Sequence, residues 1–341
     1  AGLSACARMK TNSEQEKTNV TMYYQTRALK ITGFRRLCAS VCMMVAFCVV
    51  SMSTIAQDNQ PTFTFENYSQ VEALFDERGY TQAAWEAGIR EVPRLIIQEV
   101  PSRWRNEVAG SLVVADKKRI FFRMLGPLIL IANERIGRDR SILLELIDRY
   151  ESGNTLNEAE QTWLQDLATQ YKVTPSAPIS TETLATLLNR VDIVPPSLAM
   201  AQSAEESGWG TSRFADLGNA LFGQWTWSGG IEPLDKRADK GSYGIARFDT
   251  PLESVEAYMR NLNTHSAYAE LRKRRAEMHA THALPDGYEL ARSLTRYSER
   301  GEDYVHSLHA IMRVNKLQPV DEAFLGSEPP LYLVPVDNAS D

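Results

Sequence analysis

Beyond position 48 the 341-residue chain contains no cysteine; its four, Cys6, Cys38, Cys42 and Cys48, all fall in the first fifty residues. A disulfide framework, a cysteine nucleophile and a thiolate metal site are therefore closed to the rest of the chain. Positive charge is also in deficit, with 37 Lys and Arg against 43 Asp and Glu and a formal net charge of −6. The broadest basic run is Arg272-Lys273-Arg274-Arg275, a solvated helix face or a local hold on an anionic polymer. That balance excludes nucleic acid as a partner, because a binder of that kind carries a basic face. Long apolar runs are missing too. Residues 37–50 and 121–132 are both too short for a comfortable membrane span, and a Gly-Pro interrupts the second, which reads as a buried core helix. Neither a Gly-x-Ser-x-Gly elbow nor a phosphate-cradling glycine loop is present. What remains is an ordinary globular composition, 43% hydrophobic and 23% charged, at a length that suits two lobes.

The first 56 residues read as a targeting segment. Arg27, Lys30, Arg35 and Arg36 precede the apolar run 37–50, and Thr54-Ile55-Ala56 supplies small residues for cleavage after Ala56. Met22 is the expected start, with residues 1–21 upstream of it. Seven basic and two acidic residues leave with this segment, which moves the formal charge from −6 to −11 and removes every cysteine. An acidic, cysteine-free, exported chain suits a periplasm or cell envelope. Contact with a membrane is expected only through this segment if it stays uncleaved.

The exported part is expected to be α+β and mostly α. Residues 57–172 form a helical N-terminal lobe with 57–68 as an entry arm, and 173–183, with two prolines and several hydroxyls, form a linker. Ser102 is a candidate N-cap, Pro127 marks a helix restart, and Asn157 with Glu160 is a capping pair. A catalytic lobe follows at 184–317, with helices over 182–191 and 196–207 and a capping box at Thr250-Pro-Leu-Glu253. The glycines at 229, 230, 241 and 244 bracket a β-hairpin at 229–249, the one strand region expected. The tail 318–341 carries four prolines and is expected to pack irregularly or fray.

The densest chemical signal is Leu198-Ala-Met-Ala-Gln-Ser-Ala-Glu-Glu-Ser-Gly-Trp-Gly-Thr. At 100° per residue Ala199, Gln202, Ser203 and Glu206 share a helix face of small and polar residues, which leaves room for a ligand beside the carboxyl group. Gly208 ends the helix, so Glu206 lies at the negative end of the macrodipole, and Trp209 is placed to shield it from water. Both influences favour the protonated acid. The plainer reading is that Glu205 and Glu206 are solvated end-of-helix charges. Phe222, Trp225 and Trp227 precede the hairpin; core packing suits Phe222, while core and sugar stacking are both open for the two tryptophans. His279 with His282, and His306 with His309, have a spacing that zinc could use, but no carboxylate joins either pair in a metalloenzyme motif, and solvated or capping roles fit these and His265 better. Neither a metal nor a cofactor is expected.

Ala204-Glu-Glu-Ser-Gly-Trp-Gly, followed by Asn219-Ala-Leu-Phe-Gly, resembles the signature of the bacterial glucosaminidase family, which contains peptidoglycan-cleaving N-acetylglucosaminidases. Phe121-Phe-Arg-Met-Leu-Gly-Pro-Leu-Ile-Leu, Asn261-Leu-Asn-Thr-His-Ser-Ala-Tyr and Leu294-Thr-Arg-Tyr-Ser-Glu-Arg-Gly agree with it, so the similarity spans roughly residues 90–317. The resemblance implies a lysozyme-like catalytic lobe with a small β-hairpin lobe, and cleavage of β-1,4 bonds on the N-acetylglucosamine side of peptidoglycan glycan strands. It places the general acid at Glu206 and matches a sugar-site tyrosine to Tyr297, with Tyr304 seven residues on. A second carboxylate is expected from the β-lobe, with Glu232 the nearest candidate and Asp235 and Asp239 its competitors. The expected sugar-contacting set is Gln202, Trp209, Asn219, Phe222, Trp225, Trp227, Tyr297 and Tyr304. Two rivals stand beside this reading. A lytic transglycosylase shares the helix-borne glutamate but usually carries a Gly-Leu-Met-Gln-type stretch, where this chain has Leu221-Phe-Gly-Gln-Trp. A non-catalytic wall-binding scaffold would keep the groove without the chemistry.

Overall fold

The structure is a computed structural model that describes residues 60–174, 178–234, 242–281 and 283–336. The chain divides into two units, Ala1–Pro61 and Thr62–Asp341. The expected targeting segment 1–56, Asp235, Asp239, Gly241, His282, the middle of the expected linker (175–177) and the last five residues lie outside the described residues.

The second unit is mostly helical, and local chemistry accounts for where its helices begin. α1 (Tyr68–Glu77) and α2 (Gln82–Glu86) start at Asn67 and Thr81, whose side chains accept from Gln70 N and Ala84 N. The residue preceding the first irregular turn of this segment, the π-helical Trp104–Val108, is Arg103 and not the expected Ser102, and the turn runs on into Ala109–Ser111. α3 (Val114–Glu151) is one continuous 38-residue helix with Pro127 in its interior, so the expected restart at Pro127 does not occur. An interior proline costs about 3 kcal/mol. The neighbouring Leu125, Leu128, Ile129, Ile131 and Ala132 are all buried in the main core, and each large side chain among them contributes ~1.5–3 kcal/mol by burial. Burial therefore wins. α4 (Glu158–Gln170) opens on the full capping box formed by Asn157 and Glu160. α5 (Thr181–Arg190) is capped by Ser180, and α6 (Pro196–Ser207) begins with proline at its first turn and ends at Gly208 in the left-handed conformation, φ +57°. α7 (Arg213–Gly218), α8 (Pro251–Thr264), α9 (Ala269–Ala280), α10 (Gly287–Ala291) and α11 (Glu302–Val314) follow. Thr250 caps α8 as expected, and Glu253 returns a bond to Asp249 N.

Strand content goes beyond the one expected hairpin. β1 (Thr62–Phe65), β2 (Glu91–Val92) and β3 (Leu95–Ile97) lie in the expected entry arm and N-terminal lobe. β6 (Phe324–Leu325) and β7 (Leu331–Pro335) lie in the tail. They pair in parallel, β1-β7-β3 as one sheet and β2-β6 as another. Residues 318–336 of the tail thus pack into the fold. Pro319 sits in the first turn of a 3₁₀ helix (Gln318–Glu322) and Pro335 ends β7, positions that need no amide donor. The expected hairpin exists as antiparallel β4 (Trp225–Thr226) and β5 (Gly244–Ile245), with a bridge from Ile231 to Ile245, so it starts earlier than 229.

The main core draws on both sides of residues 173–183: Phe75, Leu128 and Ile129 pack with Leu198, Tyr258, Leu308 and Leu333. A second core joins Leu143 and Ile147 of α3 to Leu164 of α4 and Leu187 of α5. Packing therefore divides along α3, which at 1.5 Å per residue is about 57 Å long and outreaches a single core. No helix among the described residues is long and apolar enough to cross a membrane.

Candidate active site

α6 crosses the main core with every residue from Pro196 to Ala204 buried, and only its last turn approaches the surface. Glu206 is in that turn, half-buried. Loss of hydration raises its carboxyl to about 7, with Glu205 adding to the rise, while a hydrogen bond from Tyr304 and the charge of Arg300 oppose it. The helix dipole, which no basic residue of the helix's own last turn offsets, acts in the same direction as burial. Glu206 is therefore an acid that keeps its proton close to neutral pH.

A chain of buried hydrogen bonds holds it in place. The Tyr258 hydroxyl donates to Gln202 Oε1 at 2.7 Å, Gln202 Nε2 donates to the Tyr304 hydroxyl at 2.9 Å, and the Tyr304 hydroxyl donates to the Glu206 carboxylate. Gln202 is one turn before Glu206 on the same helix face, so residues of α6 alternate along the chain with the tyrosines of α8 and α11. Burial and the nearby Glu206 charge raise Tyr297 and Tyr304 well above the ordinary phenol range, which keeps both neutral donors. Their rings stack at 5.4 Å, Tyr268 leans on Tyr297 at 5.7 Å, and Phe222 stacks on Tyr258 at 3.9 Å. Gly223, at φ +58°, brings the backbone against the acid: a Cβ there would stand 3.4 Å from Glu206 Oε2.

Of the residues singled out from sequence, Glu206, Gln202, Phe222, Tyr297 and Tyr304 come together. Phe222 does so as core, 1% exposed, with its carbonyl accepting from the Tyr297 hydroxyl. The Trp209 ring packs on Phe121 and Phe122 of α3 and under Lys118, with the backbone at 209 in the left-handed region, φ +64°. Asn219 is engaged by backbone: its amide nitrogen donates to Phe248 O and Asp249 O, and its oxygen accepts from Val100 N. Its role there is to tie the 100 segment and the hairpin exit to the end of α7. Trp225, stacked on Tyr243, and Trp227 stand on the hairpin, 40% and 71% exposed. Glu232 is exposed on the same arm, with its carbonyl accepting from Arg213. Among the described residues, the charges that act on Glu206 are Glu205 and Arg300, which pair with each other. Among the histidines, His279 bonds to the buried Asp192, His309 to Tyr288 O, and His265 caps a 3₁₀ turn. Tyr258, Tyr268, Gly223 and Arg300 belong to the site and had not been assigned to it; three of them lie inside the family-like stretches 219–223, 261–268 and 294–301, which was the available signal.

Fold and site define a mostly helical α+β protein built around one protonatable, tyrosine-ringed glutamate at the end of a buried helix. The family model described as mannosyl-glycoprotein endo-beta-N-acetylglucosaminidase matches residues 181–317. Protein bax of Escherichia coli (strain K12) is 34% identical over 200 residues, covering 59% of this chain and 70% of that protein. No solved structure matches. The chain belongs to the Bax-like glucosaminidase family.

Proposed function

We propose that the protein is an exported, periplasmic peptidoglycan hydrolase, an endo-β-N-acetylglucosaminidase that cuts glycan strands on the N-acetylglucosamine side with Glu206 as general acid. The observation that carries this reading is the carboxyl raised to about 7 at the mouth of a tyrosine-lined site. Glycoside cleavage needs a proton delivered to the bridging oxygen while an oxocarbenium-like centre develops in the sugar. Glu206 holds that proton, and Tyr304, with Gln202 behind it, steadies the carboxylate left after transfer. The tyrosine face and the exposed Trp225 and Trp227 suit the apolar faces of sugar rings. A lysozyme-like relation between helix and hairpin accords with this division of labour, and Glu232 is the proposed second carboxylate, positioning water from the hairpin.

One observation favours a second reading. Among the described residues, the acidic neighbour that acts on Glu206 is Glu205, and it is paired with Arg300. A lone carboxylic acid suits a lytic transglycosylase, in which the sugar's own hydroxyl replaces water. Digestion of peptidoglycan by wild type and Glu206→Gln, with mass spectrometry of the released ends, separates the readings. Reducing N-acetylglucosamine ends from wild type alone are expected. Anhydro-muramyl ends would make it a transglycosylase, free stem peptides would move the chemistry to the histidines, and binding of sacculi without product from either protein would leave a scaffold.

A further inference from the structure

On the face of α6 away from Glu206, a cavity of about 420 Å³ opens between α2, α3 and the start of the 3₁₀ helix, with Met200 at its base. That volume is within the range of small-molecule sites, about 300–1,000 Å³. Its lining carries Arg90, Lys118, Arg119, Arg123 and Lys316 against a single acid, Glu86. In a chain whose net charge is −6, this concentration of positive charge is out of proportion.

The cations are not equivalent. Arg119 is already paired with Glu72 and Asp116. Lys118 lies over the Trp209 ring at 4.6 Å, and Arg90 lies over Trp85 at 4.2 Å while donating to its carbonyl. Arg90 Nε is buried with no acceptor among the described residues. Arg123 is half-buried between the rings of Phe75 and Tyr80, each 5.9 Å away, and makes no hydrogen bond or ion pair among the described residues. A guanidinium presents five donors in a fixed fork, and burying it without an acceptor is costly. Desolvation lowers its proton affinity and outweighs the opposing pull of Tyr80, Asp76 and Glu72, with the Arg119 charge adding to the fall. The fork matches an oxyanion in geometry as well as in charge. Apolar wall from Phe122, Leu130, Met200 and Val320 fills much of the remainder, which suits an organic anion better than a bare inorganic one.

We propose that this cavity is a second binding site, distinct from the Glu206 site, that takes a small organic carboxylate of amino-acid to dipeptide size, with Arg123 gripping the carboxylate. The probes are N-acetyl-dialanine, its C-terminal amide and inorganic phosphate, titrated calorimetrically into the full-length chain and into Arg123→Gln and Arg123→Lys. The free acid is expected to bind saturably and the amide at least tenfold more weakly, since a charge-assisted bond of this kind contributes about a factor of ten or more. Arg123→Gln should lose at least about tenfold for the free acid, and Arg123→Lys should retain part of the affinity because it keeps the charge without the fork. Thermal melts accompany the titrations, and Lys118→Gln gives an independent, weaker loss if Arg123→Gln does not fold. Equal binding of acid and amide, unchanged affinity in Arg123→Gln, no saturable binding of the free acid, or phosphate binding more tightly than the dipeptide would each overturn the proposal.

Discussion

Glu206 is where burial and hydrogen bonding pull against each other. Burial raises the carboxyl to about 7 and the Tyr304 hydroxyl restrains the rise. The acid form is present below that value and is lost as pH rises through it, so kcat/KM should fall along an alkaline limb centred near pH 7. Tyr304→Phe removes the restraint, and the limb should move to higher pH; an unmoved limb would mean that Tyr304 does not bond the reacting carboxyl. Glu206→Gln should lower kcat by roughly 10²–10⁴. The same substitution should also stabilise the fold at high pH. A carboxyl whose folded pKa exceeds its unfolded value of 4.5 favours folding below 4.5 and withdraws that help as pH rises to about 7. Glutamine carries no such penalty. Thermal melts should therefore show Glu206→Gln ahead of wild type by about 1–3 kcal/mol at pH 8, after allowance for the partial exposure, with the gap closing near pH 5. At this scale the acid itself was readable, because a small-residue face, a terminating glycine and a helix end are local properties. Tyr258 and Tyr268 were not, since each reads as an ordinary inward aromatic until the distant helices are brought together. The contacts of Trp209 with Phe121 and Phe122 are likewise not legible locally: sequence adjacency to Glu206 says nothing about a backbone at φ +64°.

At the scale of elements, α6 has no side-chain cap of its own, since Pro195 precedes it. Asp321, in the tail, takes that place: it accepts from Ser197 N at 2.7 Å and Ser197 Oγ at 2.8 Å, and from Gly287 N at 3.1 Å. The first residue of α10 is thereby pressed onto the start of the helix that carries Glu206. A Cβ on Gly287 would come 2.1 Å from Ser197 Oγ and 2.8 Å from Leu198 N. The second of these is backbone of a fully buried helix and cannot yield. Gly287→Ala should cost about 3 kcal/mol in a urea titration, the upper range of overpacking, with activity lost in proportion to folded protein. Wild-type stability would mean that α10 slides freely on α6. Helix starts such as Asn157, Thr250 and Pro196 could be read locally, because a cap is made within three or four residues. Pro127 and Asp321 could not: the one is tolerated only because a distant core surrounds it, and the other caps a helix more than a hundred residues away in sequence.

For the whole molecule, the consequential strands are the ones sequence periodicity missed. β1 pairs with β7 from opposite ends of the chain, Thr62 with Tyr332, and β2 with β6, Glu91 with Phe324. Runs of two to five residues carry too little alternation to be called from a window, and a parallel partner so far away leaves no turn to mark it. Thr62-Phe-Thr-Phe and Leu331-Tyr-Leu-Val do hold the aromatic and branched residues that strands favour, the one trace available. These pairings bear on what the family-matched region 181–317 can do alone. Cut free, it would lose all of α3 and α4, all of the parallel sheets and the Asp321 cap. Phe75, Leu125, Leu128, Ile129 and Leu333, each at most 2% exposed, would leave the main core. At ~1.5–3 kcal/mol per large apolar side chain these five alone match the whole ~5–15 kcal/mol by which a domain is stable. The fragment 181–317 should therefore show no cooperative thermal transition and should bind a hydrophobic dye, whereas a chain spanning 60–341 should melt in one step. A sharp transition in the fragment would mean that its core closes without α3, and that the tail and the N-terminal helices are additions to a finished domain rather than parts of it.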